Sequence, residues 1–118
     1  MENMWKEIMG TDSGVDFSEW IYNNYRINQY DAGNKCFRMD SAYGYEYSII
    51  KESIINNLAV EWLDSKGVYI SICPDINYEV YCCNVGTKTS GEYIDDSNTR
   101  QEATAQGVKK AFELLNKN

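Results

Sequence analysis

The one proline of this chain, Pro74, stands between two runs of alternating residues, "VYISIC" and "YEVYCCNV". In the first run Val68, Ile70 and Ile72 share one face, and Tyr69, Ser71 and Cys73 share the other. In the second, Tyr78, Val80 and Cys82 alternate with Glu79, Tyr81, Cys83 and Val85. "PDIN" has turn chemistry: Pro74 sets φ, while Asp75 and Asn77 tolerate turn geometry. An antiparallel strand pair is therefore required. "AVEWL", set off by "DSKG", reads as a third strand ahead of it, which makes a meander.

Helical spacing brackets this meander. Met1, Met4, Trp5 and Ile8 recur as on a short amphipathic helix that ends at Gly10. Phe17, Trp20 and Ile21 extend a second helical turn, with Asp16 as N-cap and Glu19 closing a capping box. "YRINQY" and "KCFRMD" read as strands around the turn "DAGN", with Lys35 and Arg38 discouraging pairing at a sheet edge. A middle helix is predicted from Ser48, its N-cap, with Tyr47, Ile50, Ile54 and Leu58 as the apolar stripe and Asn56–Asn57 as its end. "GTKTSGEYIDDSN" reads as a polar loop. The last helix is predicted from Thr99, whose capping box is completed by Glu102, and its buried stripe is Val108, Ala111, Phe112 and Leu115. Gly107 inside that helix costs about 1 kcal/mol relative to Ala, which close helix–sheet packing would explain.

The predicted order is helix, hairpin, helix, meander, helix. Tyr69, Tyr81 and Val85 give even the more polar strand faces apolar character. The expected fold is therefore α+β, an α/β/α sandwich with an antiparallel sheet and helices on both faces. With 118 residues, it is expected to be a single domain spanning 1–118.

Charge and absent residue types remove whole classes of function. There are 11 basic and 18 acidic residues, a net charge of -7, so duplex DNA binding through a basic face is not expected. The chain has no histidine, which removes Ser-His-Asp and Cys-His catalysis and histidine metal ligation. Neither G-x-x-x-x-G-K-[ST] nor G-x-G-x-x-G occurs. No run approaches the ~18 apolar residues of a membrane span, and no basic-then-apolar leader opens the chain. A cytoplasmic protein without membrane, metal or cofactor is expected, with Cys36, Cys73, Cys82 and Cys83 as reduced thiols. If "PDIN" is a four-residue hairpin loop, Cys73 pairs with Tyr78, and Cys82 lies roughly 13 Å farther along the ladder. That spacing excludes a shared metal or a disulfide.

Three segments together resemble the phage ABA sandwich domain, a small family of phages and prophages. "EIMG" is similar to the end of that family's first helix, "YSIIKESIINNL" to its middle helix, and "RQEATAQGVKKAFELL" to its final one. The resemblance implies a phage-type accessory protein and transfers no catalytic motif.

"MDSAYGYEYS", residues 39–48, is the most unusual stretch. Tyr43 and Tyr45 offer ring faces, Gly44 allows close backbone approach, and the N–H groups after Ser48 suit an anion. Arg26 and Arg38 of the basic hairpin would add charge. The alternative is that these tyrosines merely cover a sheet edge. Asp95 and Asp96 likewise read as favourable charge at a helix start rather than as metal ligands.

The favoured function is non-enzymatic: binding and sequestering a nucleotide-derived immune signal to counter host antiviral defence, using Arg26, Arg38, Tyr43, Gly44, Tyr45 and Ser48. A second expectation is an acidic inhibitor of a host defence protein or CRISPR effector, built on Glu61, Asp64, Asp75, Glu79, Glu92, Asp95 and Asp96. A third is a small enzyme working with carboxylates and tyrosines alone. An edge strand or the methionine-rich first helix offers a surface for a homodimer.

Overall fold

The computed structural model describes residues 3–40, 47–75, 77 and 79–117. It divides into two compact units, Met1–Ile55 and Asn56–Asn118. Among the described residues the elements, in order, are α1 (Met4–Met9), α2 (Asp12–Tyr25), β1 (Ile27–Asp31), β2 (Cys36–Asp40), β3 (Tyr47–Lys51), α3 (Glu52–Ser65), β4 (Tyr69–Pro74), β5 (Tyr81–Gly86), β6 (Gly91–Ser97) and α4 (Arg100–Asn116). The fold is α+β: both sheets are antiparallel, and helices pack on them. The strands fall into two three-stranded sheets, β1-β2-β3 and β4-β5-β6.

In the first unit, α1 buries Met4, Trp5 and Ile8 and stops at Gly10, as the spacing predicts. The next helix starts earlier than predicted. Thr11, not Asp16, is its N-cap, and the Thr11 hydroxyl oxygen accepts from the Gly14 N–H at 3.1 Å. Asp16 and Glu19 are interior residues of α2. The helix ends at Arg26 in the left-handed conformation, φ 60°, with its N–H on the Tyr22 carbonyl. That turn sends the chain directly into β1.

An aromatic cluster fills this unit. Trp5 stacks on Phe17 with centroids 5.4 Å apart and meets Phe37 edge-on at 5.5 Å. Phe37 lies in β2, opposite Tyr30 of β1 and Ile50 of β3. The hairpin turn forms where "DAGN" places it. The Asp31 carboxylate accepts from the Asn34 backbone and side-chain N–H groups, and Lys35 takes φ 52°. Arg38 is in the middle strand of the sheet, so it guards no edge.

The predicted middle helix is displaced. Ser48 is a residue of β3, paired with Met39, and it caps no helix. Ile54, assigned to the buried stripe, is 49% exposed. The buried stripe of α3 is Ile55, Ala59, Trp62 and Leu63, so "AVEWL" is helix rather than strand. Asn56 does not end the helix; it is buried within it.

In the second unit α4 lies against β4, β5 and β6. Thr99 caps it, its hydroxyl accepting from the Glu102 N–H at 3.0 Å. Val108, Ala111 and Phe112 are buried, and Phe112 stacks on Trp62 at 5.6 Å. A Cβ on Gly107 would meet Cys83 Sγ and Ile70 Cγ2 at 2.8 Å each, so helix and sheet do approach closely there. The predicted polar loop contains a strand, β6, which pairs with β5. The register of the Pro74 hairpin also differs from expectation. Its turn closes by Asp75 N–H to the Val80 carbonyl, and Cys73 stands opposite Cys82.

Candidate functional site

The described part of the first unit contains a pocket of about 340 Å³ made by α1, α2 and the β1–β2 hairpin. Its buried lining is Ile21, Ile27 and Phe37, with Met9 and Ala32 half-buried beside them. Exposed Lys6 and Asn28 stand at the mouth, and Ser18 and Tyr30 are half-buried. Each residue has a local reason for its place. Ser18 and Ile21 lie three apart on α2 and share a face. Phe37 and Tyr30 are ladder partners, their rings 4.8 Å apart. A register irregularity between Ile27 and Gln29 sets the start of β1.

The polar groups of the pocket are arranged for holding rather than for attack. The Ser18 hydroxyl donates to Met9 Sδ at 2.8 Å. Asn28 Nδ2 lies 3.3 Å from a carboxylate oxygen of Asp40, leaving its amide oxygen as the acceptor on that side chain. The Tyr30 hydroxyl sits 2.7 Å from Glu52 and 3.1 Å from Asn3 Oδ1. Burial, then the bond to the Glu52 carboxylate, pushes its ionisation well above the ordinary phenol range. Tyr30 therefore keeps its proton, directs it at Glu52, and offers the pocket a ring. Among the described residues Lys6 is the one cation of the lining.

None of the described residues predicted for the site lines this pocket. Arg26 lays its guanidinium over the Tyr22 ring, 5.4 Å from the centroid. Arg38 is bound to Asp31 at 2.9 Å. Ser48 pairs in the sheet, so the anion site expected at a helix start there has no helix to supply it. Tyr43, Gly44 and Tyr45 lie outside the described residues, as does the side chain of Tyr47.

Four elements, α1, α2, β1 and β2, together with Ala32 of the hairpin turn supply the pocket residues, so no spacing within one element announces them. The nearest signal is Ser18, a small polar residue between Phe17 and Ile21 on the buried side of α2.

The acidic set of the second unit is partly engaged within that unit. Glu92 pairs with Lys110 at 3.0 Å, and Asp96 accepts from the Tyr93 hydroxyl. The Asp75 carboxylate accepts from the Asn77 and Glu79 N–H groups. The Asp95 side chain is outside the description. Among the described residues no group of three or more acidic or thiol side chains gathers as for a metal ion. No described helix is long and apolar enough to cross a membrane. Comparison of the chain with family models, with curated proteins and with solved structures finds no match.

Proposed function

We propose that the chain is a non-enzymatic binding protein whose first unit holds a small nucleotide-like ligand, and that it acts as a phage-type accessory protein sequestering a nucleotide-derived signal of host antiviral defence in the cytoplasm. The pocket is the observation that carries the proposal. Its volume of about 340 Å³ falls at the lower end of small-molecule cavities, ~300–1,000 Å³. An apolar and aromatic lining suits a flat ring, and the Asn28 amide oxygen can accept from a base N–H. Lys6 at the mouth supplies a cation for a phosphate. The anti-defence setting is supported by the sequence resemblance of "EIMG", "YSIIKESIINNL" and "RQEATAQGVKKAFELL" to the phage ABA sandwich domain, although the "YSIIK" half of the second is strand β3 here and not helix. The acidic-inhibitor reading has less support, because Asp75, Glu92 and Asp96 are engaged within their own unit.

The test is calorimetry and thermal shift with ADP-ribose and cyclic dinucleotides, followed by mass spectrometry of the released ligand. One of them is expected to bind and to be recovered unchanged. At one hundred times Kd the native state should gain about 2.7 kcal/mol. Lys6→Glu should weaken binding about tenfold or more, the scale of one charge-assisted hydrogen bond. Failure of every nucleotide to stabilise the protein would overturn the proposal, and a converted ligand would overturn its non-enzymatic part.

A further inference from the structure

We propose that Cys73 and Cys82 are a thiol–disulfide exchange site that takes small-molecule disulfides and closes into a reversible cross-strand bridge. The two residues are direct partners in the β4–β5 ladder. Directly opposed residues of an antiparallel pair project to the same face. Their neighbours Ile72 and Cys83 form the adjacent ladder pair, and Cys83 Sγ lies on the side that faces Gly107 of α4. Cys73 and Cys82 therefore share the opposite face of the sheet. Cys73 is exposed and Cys82 half-buried, whereas Cys36 and Cys83 are both buried.

The ladder geometry sets the distance between them. Asp75 N–H bonds to the Val80 carbonyl at 3.0 Å, which marks that pair as hydrogen-bonded. Hydrogen-bonded and non-hydrogen-bonded pairs alternate, so Pro74–Tyr81 is of the second kind and Cys73–Cys82 of the first. The position of Pro74 agrees, because its missing N–H then falls on the side of β4 that faces away from β5. Cα atoms of a hydrogen-bonded pair stand about 5.5 Å apart, inside the disulfide window of ~4.4–6.8 Å. Cβ atoms must close by about 1–2 Å, and among the described residues β4, at the sheet edge, is held by a strand on one side only. A bridge in this exposed position belongs to the labile, exchangeable kind.

The order of steps follows from exposure. The Cys73 thiol loses its proton to solvent and attacks one sulfur of the small disulfide RSSR. That S–S bond breaks, RS⁻ leaves and is protonated, and a Cys73–S–SR mixed disulfide remains. Cys82, deprotonated in turn, attacks Cys73 Sγ and expels the second RS⁻. Two protein thiols are oxidised by two electrons, and one RSSR becomes two RSH. Burial raises the Cys82 thiol, and the Tyr93 hydroxyl lies 4.0 Å from its sulfur, which suits Cys82 to the second role.

The experiment is to incubate the folded, reduced chain with oxidised glutathione, alkylate, and read the intact mass and a non-reducing peptide map. The expected product is a chain two hydrogens lighter, linked between Cys73 and Cys82 and reopened by dithiothreitol. In Cys82→Ser the chain should retain one glutathione on Cys73. A wild-type chain that keeps one or two glutathiones without an internal link would overturn the proposal. A link made instead through Cys36 or Cys83 would overturn it as well.

Discussion

Gly14 sits at the corner between α1 and α2, where a Cβ would lie 1.7 Å from the Ile8 carbonyl oxygen and 2.6 Å from its carbon. Those atoms are backbone and cannot step aside. Gly14→Ala should therefore cost about 3 kcal/mol or more. At Gly107 the obstructing atoms are Cys83 Sγ and Ile70 Cγ2, side-chain rather than backbone; the β-branched Ile70 gives little, and about 1 kcal/mol of gained helix propensity offsets part of the strain. Gly107→Ala should cost only about 1 kcal/mol net, and urea denaturation of the two variants checks the order. Asp31 has a signature in acid. Asn34, first, and then Arg38 hold its carboxyl at about 2, below the ordinary 3.8. The native state then binds fewer protons than the unfolded chain between those values. Its contribution is complete above pH 3.8 and is lost as the pH falls through about 2. Asp31→Asn should flatten that acid limb, as read from unfolding midpoints against pH. The close approach at Gly107 and the turn role of Asp31 were legible in the sequence, because each is a local demand on one residue type. The obstruction at Gly14 was not, because it arises only once two helices meet.

Helix starts show the same division among elements. Both α2 and α4 are capped by a threonine hydroxyl at 3.0–3.1 Å. Thr11→Ala and Thr99→Ala should each lower stability by about 1 kcal/mol, measured by thermal unfolding. Thr99 is announced by its glutamate three residues on, whereas Thr11 has no such partner and the Asp16–Glu19 pair imitates a later start. For α3, the stripe Ile55, Ala59, Trp62, Leu63 has helical spacing, but the adjacent asparagines read as a stop. Burial of Asn56 inside the helix removes that stop. The "YSII" of β3 reads as helix because it joins an apolar run that continues into α3, and a five-residue strand leaves little periodicity to measure. β6 was hidden by its own composition: Gly91, Asp95 and Asp96 are poor strand formers, and pairing with β5 overrides that preference. A four-residue "PDIN" loop would hold Cys73 and Cys82 apart; the Asp75 N–H to Val80 carbonyl bond sets a longer turn and places them face to face.

On the scale of the whole molecule, the α+β class was legible from element types, and the candidate site was not. The expected site joined residues close in sequence, around Tyr43 to Ser48, to two nearby arginines. In the structure both arginines are engaged, Arg26 on Tyr22 and Arg38 on Asp31, while the described pocket draws on α1, α2 and β1–β2 together. Such a site depends on tertiary packing of distant segments, and one sequence shows no spacing that announces it. The most direct measurement is the backbone amide spectrum of isotope-labelled protein titrated with ADP-ribose and with a cyclic dinucleotide. Saturable shifts on Met9, Ser18, Asn28 and Phe37 are the result expected of a ligand held in this pocket. No shifts up to about 1 mM, where binding is worth only about 4 kcal/mol, or shifts confined to residues 56–118, would contradict it.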